Sequence, residues 1–566
     1  MADVLRIGNC SGFYGDRASA MHDMLTGGPL DVLTGDYLAE LTMLILARDR
    51  LRDDTLGYAK TFLRQLENSL GTALERGVRV VANAGGLNPG GLAAAVRRLA
   101  EELGLDVTVA HVEGDDLRPR AAELGLGEPL AANAYLGAFG IAECLRSGAQ
   151  VVVTGRVTDA SLVVGPAIAH FGWTPADLDA LAGAVVAGHV IECGPQATGG
   201  NYAFFEELED LRLLPGFPIA ELSADGSSVI TKHPGTGGMV TVDTVTAQLL
   251  YEIGPARYAG PDVTARFDTV ELSAAGPDRV QISGVRGEEP PPTVKVGLNT
   301  LGGFRNEMTF VLTGNMIDLK ERMIREQLAH LDATWTLART NHLDSPVQEE
   351  ASALLHCVAR GSDAKAIGRA FSNAAVELAL SSYPGFHVTS PPGDASPYGV
   401  FSAAYIDAPL VAHVAVLHDG ARVDISPPPT TRELAAFAEV VFPAWLDGPT
   451  HSLPLGAFVG ARSGDKGGDA NVGVWARTDE HYLWLANLLT VEMFQFLLPE
   501  TQPLAVTRYA LPNLRALNFV VTGLLGEGVA SNARHDPQAK ALGEWLRSRK
   551  VDVPLQFLAP LQGDTP

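Results

Sequence analysis

The chain is 566 residues long, 46% hydrophobic and 19% charged, too long for one ordinary core and too apolar for disorder. Its 66 acidic against 42 basic residues leave a formal charge of −24, which disfavours a nucleic-acid backbone as partner but not a locally positive pocket for a small anion. Four scattered cysteines without a CxxC pair (Cys10, Cys144, Cys193, Cys357), no signal-peptide pattern and no run of about 18 apolar residues together predict a cytoplasmic protein with reduced thiols and no membrane span.

In the first third, short β-like runs alternate with helical ones. "VLRIGNC" precedes a helix near 16–26, and "DVLTGDY" precedes "LAELTMLILARDRL". "VRVVANAGG" is followed by "GLAAAVRRLAEELG", then "LDVTVAHV", and "AQVVVTGRVTDAS" leads into "LVVGPAIAHFG". Apolar runs of about five residues alternating with longer helices predict parallel α/β units. The strand-like runs end in "GNCSGFYGDR", "TGDY", "NAGGLNPGG", "HVEGDD" and "TGRVTD". In open parallel sheets ligands bind where such loops gather, at the carboxyl ends of the strands. The same residues are also what a tight βα turn needs.

"VVVTGRVTDASL" offers Thr154, Gly155 and Arg156 for recognising a carboxylate or phosphate, with Asp159 as a helix cap or proton carrier. "NAGGLNPGG" places Gly85, Gly86 and Asn88 at a strand-to-helix turn, but its glycines do not give GxGxxG, which counts against a dinucleotide-dependent oxidoreductase. In "TGDYLAE", Asp36 and Glu40 lie four apart at a helix start, as capping or acid–base residues.

"ADLDALAGAVVAGHVIECG" reads as a helix stopped by Gly194 and Pro195. On it His189 lies three residues from Glu192 and four from Cys193, a spacing that suits an oriented general base or two metal ligands. A thiol at a helix C-terminus meets the negative end of the dipole, so Cys193 is a poor nucleophile. The following "QATGGNY" supplies Gly199, Gly200, Asn201 and Tyr202 for close backbone approach and directional hydrogen bonds, or simply a tight turn.

Residues 220–330 read as a β-rich portion with turns, followed by helices, and Pro-, Ser- and Gly-rich segments near 387–430 suit interdomain connections. From 454 to 566 the pattern is that of a small α+β domain. Its "GARSGDKGGDAN" fails both the P-loop and the calcium-loop tests. It holds Arg462, Asp465, Lys466, Asp469 and Asn471, either as a solvated turn or as a loop completing the main-domain site of its own or a neighbouring subunit.

Taken together, "GFYGDR", "LTGDYLAE", "NAGGLNP", "TGRVTDASL", "IECGPQATGGNY" and "RSGDKGGDANVG" resemble the acyclic terpene utilisation (AtuA) family along nearly the whole chain. The resemblance implies a main domain over 1–440 and a ferredoxin-like domain over 454–566. It also implies a role in catabolism of citronellol- and geraniol-type acids, beside acyl-CoA carboxylases and hydratases, with cleavage of a 3-hydroxy-3-alkylglutaryl-CoA as one proposed step.

The fold expected is therefore α/β, a mostly parallel sheet with a β-rich portion, plus a C-terminal ferredoxin-like α+β domain. The expected function is a lyase or hydrolase acting on a hydroxyacyl-CoA or branched carboxylate. His189, Glu192, Asp36 and Asp159 are the candidate proton carriers; Arg156, Thr154, Gly155, the two glycine-rich turns, Asp465 and Lys466 are the candidate binding residues. Acyl-CoA is expected as substrate rather than cofactor, and a divalent metal is permitted but demanded by no ligand motif. The partner expected is a small anionic substrate, with neither nucleic acid nor membrane, and the chain is expected to form a homo-oligomer. The alternative is a non-catalytic acyl-CoA-binding or assembly subunit.

Overall fold

The computed structural model describes residues 4–437, 439–446 and 448–562, apart from the side chains at 40, 41 and 559–562. The chain divides into two compact units, one of residues 1–299, 402–525 and 538–566, the other of 300–401 and 526–537.

At the centre of the first unit run five parallel strands: β1 (Val4–Asn9), β2 (Val32–Gly35), β3 (Arg79–Ala82), β4 (Val109–Glu113) and β5 (Val151–Thr154), in the order β1-β2-β3-β5-β4. They are short, valine-rich and buried on nearly every residue, the pattern of strands covered on both faces rather than one. Helices Pro89–Leu103, Phe139–Arg146, Ser161–Phe171 and Leu178–Ile191 supply the cover.

The sheet does not stay parallel. β6 (Pro218–Ser223) pairs antiparallel with β1, β7 (Ser228–Lys232) with β6, and β8 (Glu271–Gly276) and β9 (Arg279–Ser283) continue outward. On the other edge lie β10 (Val414–Val416) and β11 (Arg422–Asp424), again antiparallel. The reason lies in the connections. β6–β7 and β8–β9 are joined by turns at Gly226 and Asp278, too short for the crossover that parallel neighbours need. The fold is α/β with a mixed sheet, eleven strands wide among the described residues. Of the strands expected within 220–330, those up to β9 extend the main sheet, except Arg257–Ala259 and Thr264–Arg266, which pair with Arg286–Glu288 in a separate three-stranded sheet. Residues 300–401 belong to the second unit, where 304–313 pair antiparallel with 352–361 over a core of Phe310, Leu355, Cys357 and Phe371.

The tail is a four-stranded antiparallel sheet: β12 (Val459–Lys466), β13 (Asp469–Ala476), β14 (Val506–Leu511) and β15 (Ala516–Val521), in the order β12-β13-β15-β14. "GARSGDKGGDAN" is its first hairpin. Lys466 pairs with Asp469 across Gly467 and Gly468, and Gly467 takes φ +65°, as a tight two-residue turn requires. Strand periodicity of two then sorts the residues. Val459, Ala461, Val472, Val474, Leu517 and Phe519 face the tail's own core, under helices Asp479–Leu488, Val491–Leu497 and Leu542–Ser548. The alternate positions Arg462, Gly464, Lys466, Asn471, Gly473 and Asn518 face the segment 250–254 that follows helix Val242–Leu249. Gly464 and Gly473 allow this approach. A Cβ on either would lie 2.3 Å or 2.4 Å from Tyr251 and Leu250, well inside contact distance.

Candidate acid–base site

The loops leaving the parallel strands converge, and each contributes a buried polar group. After β2, Asp36 accepts the Leu38 N–H at 3.1 Å and the side-chain amide of Asn83, from the loop after β3, at 2.6 Å. Asn83 in turn accepts the Tyr37 N–H at 2.7 Å, so the two loops are locked together. After β5, Arg156 donates to the Leu38 carbonyl at 2.7 Å and pairs with Asp159 at 3.1 Å, with its guanidinium 4.3 Å from the centre of the Tyr135 ring. After β4, Asp115 accepts the Arg156 N–H at 2.8 Å and the Asn133 amide at 2.7 Å. Gly155 makes room for this: a Cβ there would sit 2.2 Å from Asp115 Oδ1. Burial pushes Asp115 up to about 7.

Helix Leu178–Ile191 brings the remaining members. It ends at Ile191, one residue before Glu192, and Gly194 then turns the chain at φ +61°. His189 Nδ1 lies 3.3 Å from Glu192 Oε1, as the spacing of three on one helical face allows. The imidazole is 1% exposed and packed against the stacked pair Tyr258 and Phe267, with ring centroids 5.3 Å and 5.4 Å away. Burial lowers it to about 4, so it is neutral at physiological pH.

Burial has the opposite effect on the acids. Glu192 and Asp36 both hold their protons well above the usual carboxylate range, first through desolvation and then through Asp159. Glu252 raises Glu192 further, Glu192 raises Asp36, and Arg156 opposes both shifts. Cys193 is likewise held protonated by burial and by Glu192, Glu252 and Asp36. A thiol so placed is not a nucleophile.

The tail domain contacts the turn beside this cluster within the same chain. Lys466 Nζ donates to the Glu252 carbonyl at 2.8 Å, and Asn471 accepts the Glu252 N–H at 2.8 Å. Asn518 donates to the carbonyls of Ile253 and Gly254 at 3.0 Å and 2.8 Å. Arg462 stacks on Tyr251, 4.6 Å from its ring centre. Asp465 lies near enough to raise the Tyr251 phenol, after burial, Glu252 and Cys193.

Other candidate residues have placements of their own. Asn88 caps helix Pro89–Leu103, accepting the Gly91 N–H and donating to the Thr55 and Leu56 carbonyls. Gly85 abuts the Thr154 carbonyl, Gly86 takes φ +52°, and the Thr154 hydroxyl bonds the Gly155 carbonyl. These four build the turns. Gly199 at φ +103° and Gly200, whose N–H donates to Pro195, shape the turn that carries Asn201, whose carbonyl lies 3.5 Å from Arg462 Nη1. Tyr202 turns instead toward Arg477, Asp243 and the Trp475 ring. The side chain of Glu40 lies outside the described residues. Asn83, Asp115 and Glu252 were not among the sequence candidates. Asn83 and Asp115 sit in loops the sequence singled out, whereas Glu252 follows an ordinary helix with no local signal. Among the described residues no group of three or more His, Cys, Asp and Glu side chains is arranged to hold a metal ion, and no helix is long and apolar enough to cross a membrane. A cavity of about 340 Å³ lined by Phe139, Arg146, Asp262 and His413 contains none of the cluster.

These features define a two-part α/β protein whose strand-end loops and C-terminal domain together enclose a cluster of buried acids and bases. The family model described as acyclic terpene utilisation family protein AtuA matches residues 5–417, and that of the AtuA ferredoxin-like domain matches residues 453–552. The chain belongs to the acyclic terpene utilisation family, and membership implies involvement in that process. No curated protein and no solved structure matches it.

Proposed function

We propose that the protein is a lyase cleaving a carbon–carbon bond in a branched 3-hydroxyacyl thioester, with Glu192 as the proton carrier. The observation that supports this most is the state of Glu192: a buried carboxyl with raised proton affinity whose Oε2 meets no hydrogen-bond donor. A carboxylate freed from water and lifted toward neutrality is a stronger base than one in solution. His189, neutral and packed against two rings, lies 3.3 Å from Glu192 and does not compete for its proton.

In the reaction, Glu192 removes the proton of the 3-hydroxyl and the C3–O bond becomes a carbonyl. The C2–C3 bond breaks, its electron pair passes to C2 as an enolate, and the proton returned from Glu192 to C2 releases the two fragments. Arg156 and Lys466, both near enough to act on Glu192, offset the charge that develops. Hydrolysis through a covalent acyl-thiol is disfavoured, because the thiol nearest the cluster is held protonated.

Purified protein incubated with a panel of branched 3-hydroxyacyl-CoAs, with products followed by mass spectrometry, tests the reading. A ketone and an acyl fragment in equal amounts are expected. Free CoA with an intact acyl chain, or unchanged substrate across the panel, contradicts it.

A further inference from the structure

The two arginines of the cluster differ in one respect. Arg156, the sequence's choice for reading an anion, is engaged by the Leu38 carbonyl, Asp159 and the Tyr135 ring. Arg462 is nearly as deeply buried, at 6% exposure, yet its Nε and Nη2 find no hydrogen-bond partner among the described residues. Its one polar contact, from Nη1 to the Asn201 carbonyl, is 3.5 Å long, at the limit of a hydrogen bond. A guanidinium is a fork of five N–H donors and stays charged in proteins, so burying it with two nitrogens unmet is costly unless something arrives to meet them. Burial strains the charge enough to weaken its hold on its proton, with Tyr251, Cys193 and Glu252 opposing that.

We infer that Arg462 is an anion-anchoring position, contributed by the tail domain, that takes a carboxylate of the ligand edge-on. This rests on the reading of the cluster as a substrate site, although not on the reaction assigned to it. Three features support the assignment. The guanidinium carbon lies over Tyr251, 4.6 Å from the ring centre, so the ring holds one side of the group and its unmet Nε and Nη2 are left for a partner. Its β12 neighbour Gly464 brings the strand close enough for this, since a Cβ there would strike the Tyr251 ring. The surroundings also select by charge: Glu252 acts on Arg462, and Asp465 lies beside the same tyrosine. Beside these acids a planar carboxylate group, with one charge shared over two oxygens, is favoured at the fork over a tetrahedral phosphate dianion.

Thermal unfolding of the full chain tests this with succinate, acetate and inorganic phosphate as probes, on wild type, Arg462→Met and Arg462→Lys. Methionine keeps the apolar stem over Tyr251 and removes the unmet donors. Without ligand, R462M should melt at or above the wild-type midpoint, because a group held for binding rather than folding costs stability. Saturating succinate should raise the wild-type midpoint by about 2 °C or more. It should leave R462M unmoved, and R462K should bind roughly tenfold more weakly, keeping the charge but losing the fork. A clearly lowered or unfolded R462M would make the arginine structural and overturn the inference. So would equal succinate responses in wild type and R462K, or a wild-type response to phosphate alone. Succinate binding that depends on Arg462, in a protein that turns over no thioester, would keep the anchor and remove the lyase.

Discussion

The side-chain oxygen of Asn471, on the tail sheet, accepts the backbone N–H of Glu252, in the main domain, at 2.8 Å. Glu252 sits at φ +56°, a conformation that costs a side-chain-bearing residue about 1 kcal/mol or more. The main domain thus carries a strained turn whose donor is satisfied by the other domain. The result is a carboxylate whose charge is felt by His189, Glu192 and Cys193.

Substitutions at Glu252 should separate strain from charge. Glu252→Gly relieves the backbone and removes the carboxylate, so unfolding in urea should shift by no more than about 1 kcal/mol either way. Turnover should fall roughly tenfold or more. Asn471→Ala should instead cost about 1–3 kcal/mol, because it leaves the Glu252 N–H buried without an acceptor. Equal losses of stability in both would mean that the turn is a packing feature alone.

Arg156 and Asp159 make the second prediction. Arg156→Met leaves Asp159 beside Asp36 and Glu192 without its cation, and should cost about 2–3 kcal/mol, less than a fully enclosed pair because Asp159 is 29% exposed. Adding Asp159→Asn should recover part of the loss. Additive losses in the urea midpoints would contradict the pairing.

How far the sequence revealed this arrangement follows from the range of each signal. The alternation of valine-rich runs with helices is local, and it marked the parallel strands and the loops at their ends. The antiparallel flanks were hidden because strand direction depends on connection length, here the turns at Gly226 and Asp278. His189 and Glu192 were legible because a spacing of three on a helix is a contact. The roles of Asn88 and Tyr202 were not, since an Asn before a helix reads equally as cap or ligand, and Tyr202 is claimed by Arg477, 275 positions away. Glu252 and the contrast between Arg156 and Arg462 depend on contacts across the chain, which no local pattern encodes.

The buried imidazole gives a pH dependence. His189 falls from 6.5 to about 4 on folding, so its contribution to stability is complete above pH 6.5 and is lost as pH falls from there through 4. The full amount is about 3 kcal/mol. Asp36 and Glu192, raised on folding, act with the opposite sign, and their contribution is lost as pH rises from the ordinary carboxylate range. The difference in unfolding free energy between wild type and His189→Phe should therefore move against wild type on acidification across that window. Parallel curves would show that the imidazole is not held neutral.

Gly155 is a test of the strand-end packing. Gly155→Ala must displace the Asp115 carboxylate, which binds the Arg156 N–H, and should destabilise by about 1–3 kcal/mol in urea unfolding. A neutral outcome would mean that the loop after β4 yields freely.

The acid–base chemistry turns on Glu192, and the most direct measurement is the pH dependence of turnover on a cleaved 3-hydroxyacyl-CoA for wild type and Glu192→Gln. Wild-type activity should climb as pH rises through a carboxyl ionisation displaced above the ordinary range. The Gln variant should bind the thioester as wild type does, lose on the order of a hundredfold or more in kcat, and lose the climb. Glu192→Gln with wild-type turnover and an unchanged profile would contradict the assignment of the proton carrier and the acid–base reading with it.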